Sequence, residues 1–137
     1  YQAGTLLGNP LAMAGGLATL GALTREVHDG ITAQTANLVQ GMRDIAARHG
    51  VPFSASHSGS MWGFFFHEGP VRTFEEAKKS DVDLFKRFFH AARRRGVSLA
   101  PSAFEAAFMS AAHGPAEIAD TLSRLDDALG AALNQQE

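Results

Sequence analysis

The chain has no cysteine among its 137 residues. That excludes a disulfide framework, a thiolate metal site and a cysteine nucleophile, and it permits a reducing compartment. Basic charge is not in excess either. The formal net charge is −2 and the isoelectric point is near 6.3, which argues against binding nucleic acid by phosphate neutralisation. Residues 1–24 carry no formal charge at all. Such a stretch is long enough to raise a membrane span. Asn9-Pro10 interrupts it early, however, and Gly, Thr and Gln dilute it. There is no basic n-region of a signal peptide, so neither a membrane nor a nucleic acid is an expected partner. The sequence also lacks Gly-x-Gly-x-x-Gly, a Walker loop, the H-E-x-x-H pattern and the Gly-x-Ser-x-Gly nucleophile elbow.

What is present begins with a glycine-rich loop, Ala3-Gly4-Thr5-Leu6-Leu7-Gly8, running into Asn9-Pro10. Asn9 is an N-cap residue and Pro10 suits the first helical position. A helix from Pro10 to about Leu23 follows, apolar on all sides, with Leu11, Met13, Leu17, Leu20 and Leu23 among small residues. A helix of that kind needs cover all round. Its start leaves backbone N–H groups and the positive dipole end facing forward, with Gly4, Gly8 and the Thr5 hydroxyl beside them. The loop is either a structural turn or an anion site.

A boundary falls near Thr24, where charge begins, and His28-Asp29-Gly30 reads as a break or kink. A second helix carries Ile31, Thr35, Leu38, Met42 and Ile45 on one face. Gly50 ends it and Pro52 forbids its continuation. Residues 51–67 read as two strands with a turn at Ser58-Gly59. Phe64 to Phe66 reads as a run covered on both faces, and a loop with Arg72 and Thr73 follows.

Ser80 then reads as the cap of a third helix, with Asp83 completing a capping-box-like start. Its apolar face is Val82, Phe85, Phe88, Phe89 and Ala92. Arg93, Arg94 and Arg95 complement the dipole of its last turn, and Gly96 stops it. Val97 to Ala100 and Phe104 to Ser110 read as further strands. Gly114-Pro115 opens a final helix with Ile118, Leu122, Leu125, Leu129 and Leu133 on one face. Residues 134–137 read as a frayed tail. The order points to an α+β fold, a small antiparallel sheet with helices on one face.

Among chemically capable side chains, His57 and His67 fall in predicted strands and His28, His49 and His113 at helix boundaries. None has metal-ligand spacing. Ser56, Ser58 and Ser60 around His57 read as a serine-rich hairpin. Glu105, in Pro101-Ser102-Ala103-Phe104-Glu105, is either a solvated loop charge or a positioned group at a cleft. Lys78, Lys79 and Lys86 are the only lysines, and all lie on or beside a charge-rich helix. None reads as a desolvated nucleophile.

Several segments carry a resemblance. Ala3-Gly4-Thr5-Leu6-Leu7-Gly8-Asn9-Pro10-Leu11-Ala12-Met13-Ala14 resembles the AGT-x-x-GNP-x-AMA segment of class III, fold-type I aminotransferases. Gly59 to Phe66, Lys79 to His90 and Gly96 to Ser110 are similar to the glutamate-1-semialdehyde 2,1-aminomutase family within that class. The resemblance covers nearly the whole chain. It implies a cytoplasmic, homodimeric enzyme with active sites at the subunit interface. The implied cofactor is pyridoxal 5′-phosphate, cycling with its pyridoxamine form, and the implied substrate is glutamate-1-semialdehyde, converted to 5-aminolevulinate for tetrapyrrole (porphyrin) synthesis.

The resemblance also implies that the chain is the C-terminal third of such an enzyme. Residues 1–24 would come from its large domain and residues 25–137 would form its small domain, with the N-terminal part of the same enzyme as a missing partner. Gly4 and Thr5 would contact the cofactor phosphate of the neighbouring subunit. Glu105, with Ser102 nearby, would face the active-site entrance. The cofactor-holding lysine and the groups that grip the cofactor ring match nothing here, so no catalytic residue and no metal ligand is expected in this chain and the chain alone should be inactive. Leu7 departs from the family, where serine is common. Two rival readings are another class III aminotransferase and a non-catalytic α+β binding or dimerisation module.

Overall fold

Asn9 starts the first helix as its chemistry requires: its Oδ1 accepts from the Leu11 and Ala12 N–H groups, both at 3.1 Å. In the computed structural model, which describes residues 3–134, this helix is α1, Pro10–Ala22. None of its residues is buried.

Thr24 caps the next helix, α2, Arg25–Arg48, its hydroxyl accepting from Val27 N–H. The expected break at His28-Asp29-Gly30 does not occur. The helix already begins at Arg25, where His28 N–H reaches Thr24 carbonyl at 3.1 Å. Gly30 is simply carried inside it, at a propensity cost of about 1 kcal/mol. His28 therefore lies within a helix rather than at its boundary. Of the predicted apolar face, Thr35, Leu38, Met42 and Ile45 are buried and Ile31 is half-buried, and Val39, outside that reading, is buried beside them. Thr35 satisfies its hydroxyl on the Ile31 carbonyl at 2.8 Å. Gly50, at φ +65°, terminates α2 in a Schellman motif, with Gly50 N–H on Ala47 and Val51 N–H on Ala46.

The hairpin forms where expected, as β1 (Ser54–Ser58) and β2 (Met61–Phe65). Its register pairs Ser54 with Phe65, Ser56 with Gly63 and Ser58 with Met61. The run Phe64–Phe66 is not covered equally on both faces. Strand side chains alternate, so Trp62, Phe64 and Phe66 enter the core while Phe65 turns to the other face, half-buried. Phe64 is the hub of that core, with ring centroids 5.6–5.8 Å from Phe53, Phe66, Phe85 and Phe88. His67 lies beyond the strand.

A short helix, α3 (Phe74–Ala77), replaces the expected loop. Thr73 and Glu76 form its capping box. Next comes α4, Val82–Arg94, whose cap is Asp81 rather than Ser80. Asp81 accepts from Leu84 N–H at 2.7 Å, while the Ser80 hydroxyl turns back to the Ala77 carbonyl. Leu84, Phe85, Phe88, Ala91 and Ala92 are buried. Gly96 ends α4 at φ +81° in a second Schellman motif.

Val97 to Ala100 is not a strand. Val97 N–H is spent on the Ala92 carbonyl in that helix stop. Of Phe104 to Ser110 only β3, Ala107–Phe108, pairs, antiparallel to β2, which gives the sheet order β1-β2-β3. The N–H groups of Phe104 and Glu105 are held in a turn by Ser102, and that of Ser110 by His113 Nδ1.

The last helix, α5, runs Pro115–Leu133 and packs on both α2 and α4. Two arginines close carbonyls across this layer: Arg124 donates to Arg95 at 2.7 Å and Arg87 to Ala132 at 3.0 Å. Residues 135–137 of the expected frayed tail lie outside the described residues. The result is an α+β layer with α2 and α4 on the Phe64 face of the sheet and α5 across them, as expected.

Candidate functional site

The N-terminal loop is built as two successive turns. Leu7 N–H reaches the Gly4 carbonyl and Asn9 N–H the Leu6 carbonyl, both at 3.1 Å. Gly8 holds φ +76°, which favours glycine. Thr5, with its hydroxyl, and the loop around it are exposed before the positive end of α1, and the first turn of that helix has no acidic residue. That donor set, with no negative charge beside it, fits the phosphate end of an anionic cofactor. Among the described residues, none of the three lysines fits its reactive end. Lys78 and Lys86 are exposed and paired with Glu75 and Asp83 at 2.8 Å each, and Lys79 is exposed.

A second part of the site lies on the sheet. Its face away from the helices presents two columns in register: Ser54, Ser56 and Ser58 beside Phe65, Gly63 and Met61. Phe104 and Glu105 complete a depression of about 270 Å³ over Ser56, Met61, Gly63 and Phe65. Ser102 builds the turn that carries Glu105. Its Oγ accepts from Phe104 N–H and its carbonyl from Glu105 N–H, both at 3.2 Å. α3 braces this turn: the Phe74 and Phe104 rings meet edge-on at 5.9 Å, and the Lys78 ammonium lies 5.4 Å from the centre of the Phe74 ring. Beneath the turn is a small cavity of about 20 Å³, walled by Trp62, Phe85, Leu99, Ala103 and Glu105.

The structure thus brings Ser102 and Glu105 together in one turn. It does not bring them to Gly4 and Thr5, because no residue of α1 is buried against the sheet layer. Sequence reasoning passed over Trp62, whose indole nitrogen is buried without a partner. It also missed α3, although Thr73-Phe74-Glu75-Glu76 carries the Ser/Thr-x-x-Glu capping signal. The amides of Arg72 and Thr73 hold the Glu76 carboxyl below its ordinary range.

His67 and His113 make local contacts, Nδ1 of His67 lying 3.3 Å from the Gly69 carbonyl and that of His113 accepting from Ser110 N–H. His49 Nε2 lies 2.7 Å from Asp126, which also takes Arg48, and these bonds, Arg48 first, hold the Asp126 carboxyl below the usual aspartate range. Among the described residues no three His, Asp or Glu side chains gather as a metal site. No helix there is long and apolar enough to cross a membrane.

Comparison with solved structures places this architecture in a class. An omega-transaminase from Sphaerobacter thermophilus superposes with a TM-score of 0.81 at 23% identity, over 97% of this chain and 30% of that one. A glutamate-1-semialdehyde-aminomutase variant from Pseudomonas aeruginosa PAO1, in complex with PMP, gives 0.80 at 24% identity over 95% and 29%. The fold is that of a portion of these transaminase-fold structures. No protein-family profile matches.

Sequence relatives narrow the class. The chain is 78% identical over 133 residues to a glutamate-1-semialdehyde 2,1-aminomutase of Gemmatimonas aurantiaca, covering 97% of this chain and 31% of the relative. It is 50% identical over 130 residues to that of Desulforapulum autotrophicum, covering 94% and 30%. The chain is thus similar, over almost its whole length, to part of the glutamate-1-semialdehyde 2,1-aminomutases, and it spans about a third of the length of the relatives it matches.

Proposed function

We propose that the chain serves as the small domain and phosphate loop of a homodimeric, cytoplasmic, pyridoxal 5′-phosphate-dependent aminomutase that converts glutamate-1-semialdehyde to 5-aminolevulinate in tetrapyrrole synthesis. The observation that carries this reading is the 78% identity, over almost the whole chain, to an enzyme of that name. When bound, the cofactor would supply the electron sink for moving an amino group. This chain's own work is binding and orientation. Gly4 and Thr5 hold the phosphate of the neighbouring subunit's cofactor, and Glu105, on its Ser102-built turn, lines the substrate entrance. Residues 1–24 belong with the large cofactor domain and residues 25–137 form the small one.

The exposure of all of α1 supports that division, since an uncharged helix uncovered by its own chain is suited to burial against the rest of the enzyme. Turnover of glutamate-1-semialdehyde by the full-length protein tests the activity, and turnover of a different amino donor instead would replace it with another class III transamination. The isolated chain, mixed with pyridoxal 5′-phosphate and borohydride, should show no cofactor fixed to a defined lysine. A single labelled lysine would overturn the claim that the reactive end lies elsewhere.

A further inference from the structure

Trp62 is the only tryptophan, and it sits at the centre of the sheet with 6% of its surface exposed. Its ring stacks on Phe64, with centroids 6.1 Å apart and planes 17° apart. Its Nε1–H is buried and has no acceptor. An indole nitrogen is a donor only, and a buried donor left unpaired is costly and rare. Both spaces beside the sheet that Trp62 shares with the Ser102–Glu105 turn, the 20 Å³ cavity and the 270 Å³ depression, are also lined by Glu105. Glu105 is the only carboxylate lining either of them. Gly63 lines both spaces as well.

We infer that the Trp62 indole N–H is the internal anchor of the Glu105 carboxylate. The Ser102 turn lets Glu105 lean into the small cavity that both residues line and accept this hydrogen bond, which fixes the direction in which the second carboxylate oxygen faces the open depression. Trp62 is then a positioning residue for Glu105. The functional part of this inference rests on the entrance reading given above, whereas the contact itself does not.

The single tryptophan makes the test direct, because the ¹⁵N-labelled chain gives one indole cross-peak. In Glu105→Ala that peak should move upfield and its hydrogen exchange should quicken, on the order of ten-fold for loss of a charge-assisted bond. Glu105→Gln, which keeps an acceptor oxygen, should restore most of the shift and protection. Both substitutions lie on an exposed turn, so the fold survives them. An indole shift and exchange rate unchanged in Glu105→Ala, as when a trapped water is the acceptor, overturns the inference. In the full-length enzyme, Trp62→Phe keeps the ring and removes the donor, and it should lower turnover only if Glu105 still works there. A coupled indole peak with unaffected turnover would leave the contact standing and reject the entrance role.

Discussion

Leu122 of α5 occupies the space that a side chain at Gly41 of α2 would need: a Cβ built at Gly41 overlaps Leu122 Cδ1 and lies 2.7 Å from Cδ2. The absence of a side chain at position 41 is what lets the two helices approach. Two effects oppose each other in Gly41→Ala. Helix propensity favours alanine by about 1 kcal/mol, while overpacking costs about 1–3 kcal/mol.

Overpacking should win, and Gly41→Ala should lower the stability of the chain by about 1 kcal/mol in urea titration. In a Leu122→Ala background the clash is gone, and the same substitution should become stabilising. A stabilising effect of Gly41→Ala on its own would show that Leu122 swings clear.

Arg48, His49 and Asp126 pin the end of α2 to α5. The Asp126 carboxyl is held below its ordinary value, so in acid the unfolded chain binds its proton before the folded one does. The stability from this cluster is complete above the ordinary aspartate value, about 4, and drains as the pH falls through the lowered folded value. Asp126 is about a third exposed, at 35% of its side-chain surface. Solvent screening therefore limits its worth at neutral pH to about 1 kcal/mol at most. Asp126→Asn should lower stability at pH 7 and flatten its decline below pH 4. An unchanged acid limb would remove the cluster from the account.

Thr73 and Glu76 hold α3, a helix too short to persist without its cap. Thr73→Ala should weaken α3 by about 1 kcal/mol. The readout is faster hydrogen exchange at Ala77 and Lys78, whose amides bond Thr73 and Phe74 carbonyls at 3.0 Å. Because Glu76 titrates below its ordinary value, the protection should persist at neutral pH and fade in acid, after correction for intrinsic exchange. Protection identical in wild type and Thr73→Ala would show that α3 is held by Phe74 and Phe104 alone.

In a full-length version, Thr5→Ala should weaken retention of pyridoxal 5′-phosphate by about 1–3 kcal/mol, the worth of one charge-assisted bond. Thr5→Ser should retain most of the affinity. An unaltered dissociation constant would reject the phosphate role of this hydroxyl.

The three long helices and the hairpin were legible because periodicity and glycine stops act locally. Ile31 to Ile45 and Ile118 to Leu133 declare their faces in sequence, and Gly50 and Gly96 both terminate helices at positive φ. Misread elements turned on competition for single hydrogen-bonding groups. Asp81 and Ser80 both could cap α4, and the carboxylate took the Leu84 amide while the hydroxyl turned inward. Val97 looks like a strand residue, yet its N–H belongs to the end of α4. For the site, the Ser102–Glu105 turn was readable from chain neighbours. Trp62 beneath it was not, because only the register of β2 against β3 puts that indole under a loop some forty positions further on.

The bareness of α1 separates two properties that usually fail together. The helix buries nothing, so the cooperative melting of the sheet layer carries no information about residues 3–22. Substitutions in the Gly4–Gly8 loop can abolish whatever it grips while calorimetry of this chain records the same transition. Such variants would pass any screen based on thermal shift and betray themselves only when a ligand is weighed.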